Sequence, residues 1–70
     1  MHAITIDQMH GELHRQGWSL GELAYEQASR LVWQVDARRG EKWIVARENT
    51  QTAAWREAWR AAKTRPDVAP

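Results

Sequence analysis

The middle of the chain alternates apolar and polar residues on either side of a glycine, which is typical of a β-hairpin. Period two is the spacing at which successive side chains of a strand point to opposite faces. Residues 31–38 follow it, Arg39-Gly40 provides a tight turn, and residues 43–47 run back. A lone hairpin is marginally stable in water, so the fold needs at least one further strand or a helix against it.

The alternation also predicts two different sheet faces. If Ala37 pairs with Lys42, then Val35 lies opposite Ile44 and Trp33 opposite Ala46. These apolar residues would form the buried face. The opposite face would carry Gln34, Asp36, Trp43 and Val45.

Helices are predicted on both sides of this hairpin. Thr5 and Gln8 form a capping box for a first helix over residues 6–16, and Gly17 provides a left-handed stop. A second helix begins within residues 49–52 and ends before Pro66. Its apolar stripe is rich in alanine, which would let it lie close to the sheet.

Residues 18–30 are compatible with two structures. They can form a strand over residues 18–26 with a turn at 27–30, or a helix from Ser19 to Leu31 that would suggest a helix-turn-helix reader. We favour the strand because the hairpin needs a third strand. The predicted fold is a single α+β domain, α-β-β-β-α, over residues 1–65, with a three-stranded antiparallel sheet, both helices on one face and a disordered tail over residues 66–70.

The composition limits how such a domain can be stabilised. There is no cysteine, so a disulfide and a thiolate metal cluster are both excluded. Burial and ordering nearly cancel in a chain of 70 residues, so large side chains or a partner must provide the surplus. Of the five tryptophans, we expect one or two to stay partly exposed. With no transmembrane run or leader pattern, we expect a soluble cytoplasmic protein.

Nothing in the sequence predicts catalysis or a cofactor. No nucleophile, base and orienting acid are placed together, and no glycine-rich phosphate loop is present. His10 and His14 are four residues apart on the first helix, a spacing that suits a metal ion, but no third ligand has matching spacing. We therefore expect no enzyme, no metal site, no cofactor and no small-molecule substrate.

The second half of the chain has a basic excess, with eight basic and five acidic residues over 36–70. Arg56, Arg60 and Lys63 fall on one stripe of the second helix. Together with Arg38 and Arg39, this stripe could follow a phosphate backbone. Nucleic-acid binding is thus the alternative function, although such cations also suit a helix C-terminus and its solvated face.

Three segments carry a resemblance to known proteins. Residues 17–21 (Gly-Trp-Ser-Leu-Gly), the 33–41 hairpin and residues 52–55 (Thr-Ala-Ala-Trp) resemble a group of small bacterial proteins with no assigned activity. The topology is also similar to that of double-stranded-RNA-binding domains. Those domains place lysines at the start of the second helix, where this chain has residues 51–54, Gln-Thr-Ala-Ala. The resemblance implies the strand at residues 18–26 and assigns no function.

The uncovered sheet face is the feature that points most directly to a function. With both helices on the Trp33 side, Trp43 and Val45, beside Gln34 and Asp36, need a partner or remain in water. A second copy or another protein could cover them, with Trp43 as the anchor. The sequence therefore predicts a non-catalytic interaction module, homodimeric, with no membrane association.

Overall fold

A computed structural model describes residues 4–64 and has the predicted order of elements. The chain forms helix α1 (Ile6–Arg15), strands β1 (Ser19–Gln27), β2 (Arg30–Arg39) and β3 (Lys42–Glu48), and helix α2 (Gln51–Thr64). The sheet is antiparallel in the order β1-β2-β3. Residues 65–70 lie outside the described residues, and with them the predicted stop at Pro66 and the predicted tail over 66–70. Neither described helix combines the length and apolar character needed to cross a bilayer.

Local signals set both ends of α1. The Thr5 hydroxyl accepts from the Gln8 amide at 3.1 Å, and the Gln8 side chain accepts from the Thr5 amide at 2.8 Å, so the predicted capping box is confirmed. The helix ends at Arg15, with Gln16 as its C-cap. Gly17 follows with φ of 92°, a backbone conformation that favours glycine.

We expect alanine substitutions at the two glycines of this region to act in opposite directions. Gly17→Ala should destabilise the domain by about 1–2 kcal/mol, because an L-residue would be forced into the left-handed region. Gly11 lies inside the helix, where an added Cβ would meet only Arg15 Nη1 at 3.5 Å. Gly11→Ala should therefore stabilise by about 0.5–1 kcal/mol. Urea unfolding checks both, and shifts of the same sign would contradict this account.

Residues 19–27 form a strand, so the helical alternative for this stretch is wrong. β1 and β2 are joined by the predicted turn, with Gln27 paired to Arg30. Ala28 and Ser29 between them have φ of 52° and 65°. Positive φ at both central residues is the geometry of a type I′ turn, whose twist matches that of the flanking strands. The turn therefore holds two L-residues in the left-handed region.

The predicted register of the second hairpin is wrong by two residues. Arg39 pairs with Lys42 and Ala37 with Ile44, in place of the expected Ala37–Lys42 pair. Val35 accordingly lies opposite Ala46, and Trp33 lies opposite Glu48. The cause is the turn, which contains Gly40 and Glu41 alone, with Gly40 at φ of 63°. A shift of two residues preserves the faces, so the predicted separation of buried and outer side chains still holds.

Both helices pack on the face of the sheet that carries Val35, as predicted. α2 contacts β2 and β3, and α1 packs against α2 and more lightly against β1. Ala54 and Ala58 are fully buried where α2 lies on the sheet. Trp33 was expected in the core but is half-buried, because its neighbours Ala24 and Glu48 are exposed and cover it poorly. The remaining buried residues are Met9, Leu13, Trp18, Val35, Ala37, Ile44, Ala46 and Trp55.

Candidate interaction face

The outer face is the side of the sheet opposite the helices. Because side chains alternate along each strand, the register assigns it residues from all three strands. Three apolar side chains on it are exposed, namely Leu23 (48%), Trp43 (58%) and Val45 (41%). The outer face comprises Ser19, Gly21, Leu23, Tyr25, Gln27, Arg30, Val32, Gln34, Asp36, Arg38, Trp43, Val45 and Arg47.

Trp43 is the largest exposed apolar side chain of this face. Its cross-strand neighbour Arg38 places its guanidinium carbon 4.9 Å from the ring centroid, a cation–π contact. The contact covers only part of the indole, which remains 58% exposed. A large, rigid aromatic group with a charged rim is the composition typical of an interface hot spot.

Gln34 and Asp36, also predicted on this face, are half-buried among its neighbours. The Gln34 side-chain oxygen accepts from Arg47 Nε at 2.9 Å. The Asp36 carboxylate lies over Gly21, where an added Cβ would be 2.5 Å from Oδ1. The lack of a side chain at Gly21 therefore lets Asp36 lie flat on the sheet. These two polar groups lie at the centre of the face, between Leu23 on β1 and Val45 on β3.

The structure does not gather the predicted basic residues on one surface. Arg38 is on the outer face, whereas α2, with Arg56, Arg60 and Lys63, packs on the opposite side of the sheet. Lys63 forms an ion pair with Glu12 at 3.3 Å and lies 4.4 Å from the Trp59 centroid. A continuous phosphate track through all of these residues would have to pass around the sheet edge.

Arg39 and Arg56 also contact other elements of the fold. The Arg39 guanidinium carbon lies 4.6 Å from the Trp18 centroid, and its Nη1 donates to the Gln16 carbonyl at 3.0 Å. Arg39 therefore ties the β2 end to the α1 C-terminus. Arg56 is half-buried beside α1 and Thr52.

The two histidines on α1 are exposed and stacked on each other. Their ring centroids are 6.1 Å apart with nearly parallel planes, and His10 also lies 5.7 Å from the Trp55 ring. Within residues 4–64, no group of three or more histidine or acidic side chains is arranged to hold a metal ion. His10 and His14 also line a groove together with Trp18 and Leu20.

Of the three exposed apolar side chains on the outer face, Leu23 is the one that the sequence analysis did not single out. The signal was present, because Leu23 has the same parity in β1 as Ser19 and Gly21 and lies opposite Gln34. Its exposure depends on the helices leaving this side of β1 uncovered, which the strand pattern alone does not show.

Comparison with known proteins identified no relative of this chain. No protein family, curated protein or solved structure matches the chain. The resemblance to small bacterial proteins thus stays a prediction, and the function has to be argued from the geometry.

Proposed function

We propose that this chain is a small non-catalytic interaction module that works as a homodimer, with its contact surface centred on Trp43 and Val45 of β3. The observation that carries the proposal is the 58% exposure of Trp43 on a sheet face that neither helix covers. Val45 and Leu23 extend the apolar surface on either side of the polar centre.

A second copy is the occupant that the size of the domain favours. The described core contains ten buried residues, and four of them are alanines, whose side chains are single methyl groups. Small domains of this kind gain their stability margin from staples, metals or oligomerisation. With no cysteine in the chain, the surface buried between two copies around Trp43 and Val45 would supply that margin.

The test compares two exposed apolar side chains on opposite sides of the sheet. Trp43→Ala should raise the dimer dissociation constant about thirtyfold or more, the effect expected of a hot-spot aromatic residue. Leu31, 52% exposed, has the parity of Val35 and so lies on the helix side of the sheet. Leu31→Ala is therefore the matched control and should leave dimerisation unchanged.

Light scattering during size-exclusion chromatography over a range of loading concentrations measures both variants. A wild type that is monomeric at every concentration contradicts the proposal. Equal dimerisation by wild type and Trp43→Ala contradicts the role of the Trp43 surface. Retention of the monomer on duplex RNA or DNA at low salt would instead indicate the nucleic-acid alternative.

A further inference from the structure

We infer that two copies of the chain pair through the free edges of their β3 strands, antiparallel about a two-fold axis at Val45, to form one continuous six-stranded sheet. This inference rests on the proposed homodimer and specifies how the two copies meet. It starts from the strand order, in which β1 and β3 are the edges of the described sheet. An unpaired edge presents a row of amides and carbonyls that a further strand can complete.

The turn at Gly40 determines which backbone groups of β3 point outward. Arg39 and Lys42 flank a two-residue turn, and such a turn is closed by a bond from the Lys42 amide to the Arg39 carbonyl. Because the direction of backbone groups alternates along an antiparallel strand, the next outward-pointing groups belong to Trp43, Val45 and Arg47. A second β3 must therefore pair through these three residues.

The sequence of β3 is complementary to itself in that register. With Val45 opposite Val45 of the second copy, Lys42 lies opposite Glu48 of the second copy, so the ends of the strands carry opposite charges. Trp43 lies opposite Arg47 of the second copy, which places a guanidinium beside the exposed face of the indole. Each outward-pointing residue exchanges both of its backbone hydrogen bonds with its partner.

Other arrangements of the same elements lack this complementarity. β1 carries Glu22 and Glu26 and no basic side chain, so a β1–β1 pair would collect carboxylates along one seam. Shifting the β3 axis to Arg47 would oppose two guanidinium groups. Stacking two outer faces would bring Arg30, Arg38 and Arg47 of each copy together, against one acidic residue per copy, Asp36.

The helices leave room for the seam. α2 packs across β2 and β3. A helix axis above the line between these strands lies two strand spacings, about 10 Å, from its two-fold copy, which is an ordinary distance for packed helices. The flank of α2 nearest the end of β3 shares a groove with Glu48 and carries charges of both signs at Arg56, Glu57 and Arg60. The paired sheet then presents both copies of Trp43 on one surface.

Charge reversal tests the register, because the two ends of the strand can be exchanged. Lys42→Glu alone and Glu48→Lys alone should each weaken dimerisation about tenfold, since each opposes like charges at both ends of the seam. The double variant should restore wild-type affinity. Mixing the two single variants should give a heterodimer tighter than either homodimer, a result that a loss of folding cannot produce.

Hydrogen exchange of individual amides provides the second measurement and separates the two proposals. On raising the concentration, the amides of Trp43, Val45 and Arg47 should exchange at least about tenfold more slowly. The outward-pointing amides of the other edge, at Leu20 and Glu22, serve as the control and should stay unchanged. A dimer without protection at β3, or single variants as tight as wild type, overturns the edge pairing and leaves the homodimer standing. A monomer at all concentrations overturns both.

Discussion

Trp55→Ala should leave the chain largely unfolded at room temperature. Trp55 of α2 is 3% exposed and belongs to the core, where its ring also lies 5.7 Å from that of His10 on α1. Truncating a buried tryptophan to alanine costs about 3–5 kcal/mol. A single core in a domain of this size rarely supplies more than about 3–5 kcal/mol in total. The loss is therefore as large as the free energy of unfolding itself. Far-ultraviolet circular dichroism in a urea series measures it.

Trp55→Phe is the matched variant, and it should fold. Among residues 4–64, the buried Trp55 Nε1 atom has no hydrogen-bond partner, and the same holds for Trp18 Nε1. An unpaired buried donor carries a penalty of about 1–3 kcal/mol, which phenylalanine removes while keeping an aromatic ring in place. The net loss should stay below about 1.5 kcal/mol. If phenylalanine proves as destabilising as alanine, the indole N–H has a partner and the core is described wrongly.

Ala58→Leu should destabilise the domain by about 1–3 kcal/mol. Ala58 has no solvent-accessible surface where α2 lies on the sheet. Three added carbons can be accommodated only by lifting the helix or by forcing side chains off their rotamers. Thermal unfolding, monitored with the dimer fully dissociated, measures the loss.

Ala53→Leu is the control on the same helix. Ala53 is half-buried on the flank beside Glu48 and Glu57, where a longer side chain can extend along the groove. Alanine and leucine have similar helix propensities, so this change should alter the free energy of unfolding by less than about 0.5 kcal/mol. Equal losses at positions 53 and 58 would mean that α2 does not rest on the sheet through Ala58.

The parts of the fold that could be predicted from the sequence are those with local causes. The Thr5–Gln8 capping box, the Gly17 stop and the alternation over 31–38 each act within a few residues, and all three are present in the structure. The hairpin register was mispredicted because two registers that differ by two residues place the same side chains on the same faces. The turn at Gly40 determines which of the two registers forms.

The candidate site was predictable in part, for a related reason. The outward orientation of Trp43 and Val45 follows from parity alone. The contacts of the basic residues do not follow from parity, because Lys63 binds Glu12, which is 51 residues away in the chain. Such a long-range contact leaves no periodic signal, so the stripe on α2 looked continuous with Arg38 and Arg39 until the fold separated them.

In the proposed dimer, one strand, β3, carries the contact surface. Lys42 to Glu48 supply an apolar centre, an aromatic anchor and oppositely charged ends within one strand. The edge sets the direction and register of association, and Trp43 and Val45 provide apolar contacts along the seam. A dimer built this way displays a broad, Trp-bearing sheet on the side away from the helices.

Sedimentation equilibrium of the wild type and Trp43→Ala over a wide concentration range tests the central claim most directly. For the wild type we predict a mass twice that of the 8.1 kDa chain, falling toward the single-chain value on dilution. The Trp43→Ala curve should be displaced to higher concentration. A wild-type mass of 8.1 kDa at every concentration would contradict the account.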